Sequence, residues 1–165
     1  MIILQINVSI LKVLVIFNGK TSEKYLRTGI DLYLKRLSHY LKLEVKELAE
    51  PKGMKKSEDH LTYEQELLFK QLRPDDYLVL LDEKGKSYTS RQFSDWMQKR
   101  MNSGVKRVVF VIGGAYGFSD EVYARANDQV SLSKMTFSHQ MIRPFLLEQI
   151  YRAMTILRNE PYHND

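Results

Sequence analysis

The stretch from Val108 to Gln140, VVFVIGGAYGFSDEVYARANDQVSLSKMTFSHQ, constrains this chain more than any other. Its opening, Val108 to Ile112 with the glycine that follows, reads as a buried strand. Val108, Val109, Val111 and Ile112 leave no polar face, as in a central parallel strand covered on both sides. The run breaks into Gly113-Gly114-Ala115-Tyr116-Gly117, where three glycines in five residues suit a tight turn that another group must approach closely. Ser119, Asp120 and Glu121 read as the N-cap and acidic first turn of a short helix. A second strand, Gln129 to Leu132, leads into the polar loop SLSKMTFSHQ. In an open α/β sheet, ligands bind outside the carboxyl ends of the strands. The glycine turn and the polar loop are therefore the expected ligand site, although on residue types alone both also read as plain tight connections.

The rest of the chain alternates strand and helix signals, which defines the class as α/β. Leu11 to Phe17 is the first core strand, and Asn18-Gly19 a turn. Thr21 or Ser22 caps a helix to about Leu41, with Leu26, Ile30, Tyr33, Leu34 and Leu37 on one face. Leu43 to Ala49 reads as a strand, Ser57 to Leu72 as a charged helix, and Asp76 to Asp82 as a buried strand ending in the turn Asp82 to Lys86. Ser90 is expected to cap a helix to Asn102, with Trp96 read as core rather than as a base-stacking platform. The last helix runs from Pro144 to Arg158, because proline fits only a first turn. Its stripe Leu147, Ile150, Met154, Leu157 serves the core or a dimer interface, for which Met154 and Leu157 are the candidates.

Residues 11–165 read as one domain preceded by an extension, 1–10, that is either a tail or an extra edge strand. The apolar start has no basic leader region and is interrupted by Gln5, Asn7, Ser9 and Lys12, so neither a signal peptide nor a membrane span is expected. A net charge of +5 modestly favours a polyanionic partner. There is no cysteine, and His39, His60, His139 and His163 lack ligand spacing, so no metal is expected. Neither a dinucleotide fingerprint after the first strand, a P-loop nor a nucleophile elbow occurs.

GGAYGF, then LSKMTFSHQ, then RPFLLEQIYRA and the terminal PYH together resemble the bacterial ribosomal RNA large subunit methyltransferase H family of the SPOUT superfamily. The similarity covers roughly Leu11 to His163. It implies a SPOUT-type parallel sheet flanked by helices, with a C-terminal trefoil knot that holds the cofactor. The implied activity is S-adenosylmethionine-dependent methylation of N3 of a pseudouridine in 23S ribosomal RNA on the assembled ribosome, by a cytoplasmic homodimer. Leu81, Gly113, Leu132, Ser133, Lys134, Met135, Thr136 and Phe137 are the implied cofactor residues. Tyr162 and His163 are the implied catalytic pair, set over the reacting nitrogen of their own or the partner subunit's pocket; a frayed terminus is the bland alternative. Arg143 and Arg152 are candidate RNA phosphate contacts, or else helix-surface ion pairs. Lys20 is read as a solvated turn residue.

The chain departs from the family pattern in three places. Asn18 replaces an apolar residue before Gly19-Lys20, Ser138 stands where the family shows proline, and Asn164-Asp165 follow His163 where a basic residue is usual. His139, in that altered FSHQ segment, reads as structural rather than catalytic. The rival functions are a non-catalytic ribosome-binding module on the same scaffold and a transfer-RNA methyltransferase of the same fold. The second is disfavoured by the lack of an added RNA-binding domain.

Overall fold

The computed structural model describes residues 10–165; the expected N-terminal extension falls almost wholly outside them. Five strands and five helices alternate: β1 (Lys12–Asn18), α1 (Lys24–Leu37), β2 (Lys42–Leu48), α2 (Ser57–Gln71), β3 (Tyr77–Ser87), α3 (Ser90–Asn102), β4 (Arg107–Ile112), α4 (Asp120–Arg125), β5 (Asp128–Ser131) and α5 (Ile142–Leu157). The strands form one parallel sheet in the order β2-β1-β4-β3-β5.

The apolar runs explain the layers. Successive side chains of a strand point to opposite faces. Val13, Val15 and Phe17 of β1 join Val108, Phe110 and Ile112 of β4 in a core shared with α1, α3 and α5. Leu14, Ile16, Val109 and Val111 face the other way, with Leu68 of α2 and Val122 of α4. A strand buried on both faces needs no polar alternation, which is why β4 is apolar almost throughout. Trp96 lies in the first core, where its indole N–H donates to Asp128 Oδ2 at 2.9 Å.

Four expected boundaries move, each for a local reason. Helix α1 begins at Lys24 with Glu23 as its N-cap and no side-chain cap; the Thr21 hydroxyl, two residues before that N-cap, accepts from Arg143 instead. Helix α3 is capped by Thr89, not Ser90: Thr89 and Gln92 form a reciprocal capping box. Helix α5 begins at Ile142, two residues before Pro144, whose missing N–H still falls in the first turn. Strand β3 does not stop at Asp82. It bulges between Leu81 and Lys86 and then pairs with β5 again through Lys86 and Ser87. Gly85 permits this, because a Cβ there would lie 2.7 Å from the backbone of Gln129.

Met154 is buried in the core of its own chain and is not available as an interface residue. Among the described residues, no helix is long and apolar enough to cross a membrane and no metal-ligating cluster is found.

Candidate active site

A cavity of about 600 Å³ opens at the carboxyl ends of β3, β4 and β5. That volume lies within the range of small-molecule sites. One wall is the end of β3 and its bulge, Leu81 to Lys84; the second is Gly113 to Phe118; the third is the segment from Val130 past Phe137 to His139.

The glycine wall is folded back on itself. Gly117 N donates to Gly114 O at 3.3 Å, and Gly117 has φ of 75°. A Cβ on Gly113 would lie 3.1 Å from Gly117 O and 3.2 Å from Phe118 Cζ, so a side chain there pushes the turn apart by a few tenths of an ångström. Ser119 then caps α4 through Val122 N, as its position before Asp120 suggested.

In the third wall the polar side chains fold the loop. Ser131 Oγ donates to Ser133 O at 2.7 Å, Ser133 Oγ accepts from Met135 N at 3.0 Å, and Thr136 Oγ1 donates to Glu83 Oε2 at 2.5 Å. The last bond ties this wall to the first. Met135 and Phe137 are left exposed.

The cavity is acidic at its β3 wall. Asp82 accepts from the Tyr123 hydroxyl and from Lys84 N, and burial with this bond pushes Tyr123 up to about 12, so the phenol stays protonated. His139 lies on the cavity wall, and its pKa sits below the ordinary histidine value, first through burial and then through the neighbouring Arg143 charge.

A family profile described as "Predicted SPOUT methyltransferase" matches residues 11–163. The chain belongs to the SPOUT methyltransferase family. It is 54% identical over 147 residues to a ribosomal RNA large subunit methyltransferase H of Cytophaga hutchinsonii, covering 88% of this chain and 95% of that one. The protein of the same name from Parabacteroides distasonis is 52% identical over 157 residues, 94% of this chain and 100% of its own. That from Christiangramia forsetii is 52% identical over 148 residues, 88% and 94% of the two chains.

Within this SPOUT chain, Leu81, Gly113, Leu132, Ser133, Met135, Thr136 and Phe137 all come to the cavity wall. Lys134 does not; it points away into solvent. The charged and aromatic wall residues Asp82, Glu83, Tyr116, Tyr123 and His139 were not singled out as ligand contacts from the sequence. Asp82 and Glu83 were legible only as a turn, and His139 only as a structural residue.

Arg143 is a correction. It was a candidate phosphate contact, yet it is fully buried. Its guanidinium donates to Thr21 Oγ1, Asn18 O and His139 O, and lies 4.8 Å over the Phe17 ring. Burial lowers its pKa, opposed by Glu47 and Glu50. Each of its three nitrogens donates to one of the loops it joins, and its full burial keeps it out of reach of RNA.

The tail is docked, not frayed. Asn159, at φ 53°, ends α5 in the left-handed conformation and turns the chain back. Tyr162 OH donates to Glu148 Oε1 at 3.0 Å and packs at 4.8 Å against Tyr151. Arg152 binds the same Glu148 and also reaches His163 Nδ1 at 3.2 Å. Neither Tyr162 nor His163 is on the cavity wall of its own chain.

Proposed function

We propose that this chain transfers a methyl group from S-adenosylmethionine to N3 of a pseudouridine in 23S ribosomal RNA, on the assembled ribosome, as a cytoplasmic homodimer. One observation carries the reading: the glycine turn and the segment from Leu132 to Phe137 meet in a single cavity at the carboxyl ends of β3, β4 and β5. The relatives, ribosomal RNA large subunit methyltransferases by name, supply the substrate class. The residues present fit the cofactor. The cavity has the volume for a small molecule, its glycine wall is backbone, and Asp82 and Glu83 offer negative charge to a cation. Leu81, Gly113, Leu132, Ser133, Met135, Thr136 and Phe137 would hold it. Bound there, it supplies an electrophilic methyl on a sulfonium. The protein's tasks are to align the nitrogen and to take its proton.

The catalytic pair is assigned to Tyr162 and His163 of the other protomer. In its own chain the pair packs on α5 outside the cavity, so a second copy is required to complete the site. The face for that copy is the exposed apolar surface where α1 meets the start of α5. Tyr25, Leu32, Phe137 and Phe145 are exposed there. Tyr25 OH lies 3.5 Å from Met141 Sδ, and the Phe137 and Phe145 rings are 5.6 Å apart. This face replaces Met154 in the dimer assignment. The C-terminal knot belongs to the same proposal.

A second reading of the base rests on His139, which lines the cavity and is held neutral at pH 7. Arg152 is engaged by Glu148, so the exposed Lys52, Lys55, Lys56 and Lys134 are better placed for phosphate. The test is mass mapping of 23S RNA from a strain lacking the gene. One methyl should be missing from one pseudouridine and return on complementation. An unchanged methylation map would refute the activity.

A further inference from the structure

On the side of the glycine loop away from the cavity lies one face of α2. His60 and Glu64, four residues apart, share one face of the helix, and Gln65 stands on its flank. Each meets a different point of the loop. The His60 ring lies 5.2 Å from the Tyr116 ring, edge to face at 75°. Gln65 Oε1 accepts from Ser119 Oγ at 2.6 Å. Glu64 Oε1 occupies the space beside Gly114: a Cβ there would stand 2.4 Å from it. Asn18, at the end of β1, holds the carboxylate in place through Nδ2 at 3.3 Å.

Glu64 is costly where it sits. It is half-buried and makes no ion pair among the described residues. Burial raises its pKa, while His60, Asn18 and the Gly114 amide each favour its charged form. A leucine would suit the neighbouring core around Leu68 better, so packing alone does not account for a carboxylate.

We infer that the α2 face formed by His60, Glu64 and Gln65 is a clamp that positions the glycine loop, with Glu64 at its centre, and that affinity for S-adenosylmethionine depends on it. Glu64 does not line the cavity. It is a positioning residue acting through Gly114, which does. The inference rests on the cofactor reading of the cavity given above. His60 also links the clamp to the lysine loop before α2, since its Nε2 is 2.9 Å from Met54 O.

The test uses the full chain, with Glu64→Ala and Glu64→Gln beside wild type. Calorimetry with S-adenosylmethionine should show Glu64→Ala about tenfold weaker, the scale of one lost charge-assisted hydrogen bond. KM for the cofactor should rise with it, while kcat at saturating cofactor and KM for ribosomes hold. Glu64→Gln, which keeps the volume and one acceptor oxygen, should recover most of the affinity. In ligand-free protein, backbone amides of residues 114–118 should exchange faster in Glu64→Ala. Should that variant not fold, the pair His60→Ala with Gln65→Ala carries the same expectation. Unchanged affinity and unchanged exchange in the alanine variant would overturn the clamp. Wild type that binds no S-adenosylmethionine would instead overturn the cavity reading and the clamp's role in affinity, and the ligand-free exchange then decides whether the loop is clamped at all.

Discussion

The two ends of the sheet are built on opposite principles. At the amino ends of β3 and β4, Asp76 is almost wholly buried and accepts from Arg107 Nε at 2.7 Å, from Arg107 NH2 at 2.5 Å and from Arg73 N at 2.7 Å. Arg125 donates to the Asp76 carbonyl, and Asn127 Oδ1 accepts from Leu78 N. At the carboxyl ends, aromatic rings stand in solvent, acids face a cavity, and glycines replace side chains. One end has its charges paired and closed; at the other, acids and bare backbone line an open cavity. Stability and chemistry are thereby placed at opposite ends of the same strands, and substitutions can separate them.

The largest effect is expected at the closed end. Asp76→Ala should cost about 3–5 kcal/mol, because it strands Arg107 without its buried partner. Chemical denaturation measures this, and a loss under about 1 kcal/mol would break the comparison. The same pair gives an acid signature. Burial alone would raise the Asp76 pKa, but hydrogen bonds from Arg107 and Arg73 outweigh it and the net shift is downward. Its contribution is therefore complete above about pH 4, the ordinary aspartate value, and is lost as pH falls through the lowered one. Asp76→Asn should flatten that part of the stability–pH curve.

At the open end the effects should fall on activity. Deleting Tyr162 to Asp165 should leave cofactor binding and dimerisation intact and remove methyl transfer. His163→Ala should cost roughly 10²–10⁴-fold if this histidine is the base. Full activity after the deletion would move the base to His139, whose lowered pKa would then appear as the acid limb of the rate profile. Gly113→Val should weaken S-adenosylmethionine about ten- to a hundredfold, since its side chain would crowd Gly117 O and Phe118 and shift the turn, at a stability cost of about 1–3 kcal/mol, less than that of Asp76→Ala. The smallest effect is expected from Phe145→Glu, which should shift the monomer–dimer balance without disturbing the fold. Light scattering that finds the variant as dimeric as wild type would move the interface elsewhere.

Much of this was legible in the sequence, for identifiable reasons. Strand β4 and the glycine turn declared themselves because a doubly buried strand and a bare turn leave strong local patterns. The cofactor wall followed from the family resemblance, and all of it but Lys134 lines one cavity. What escaped depended on partners distant in sequence. Arg143 looks like any surface arginine until its acceptors at Asn18 and Thr21 are in place. Met154 follows the helical stripe whether it meets the core or a partner. Glu64 lies in a charged helix and gains meaning only when Gly114 arrives beside it. The bulge in β3 was hidden because Asp82 to Lys86 has the composition of a turn.

Single-turnover methyl transfer to purified ribosomes, with S-adenosylmethionine held near its wild-type Kd and the product mapped to its nucleotide, tests the division between the two ends most directly. Wild type and Asp76→Asn, the latter held below its melting temperature, should methylate N3 of one pseudouridine at similar rates. Gly113→Val, fully folded, should not. Transfer at the wild-type rate by Gly113→Val, or its loss in folded Asp76→Asn, would contradict the account.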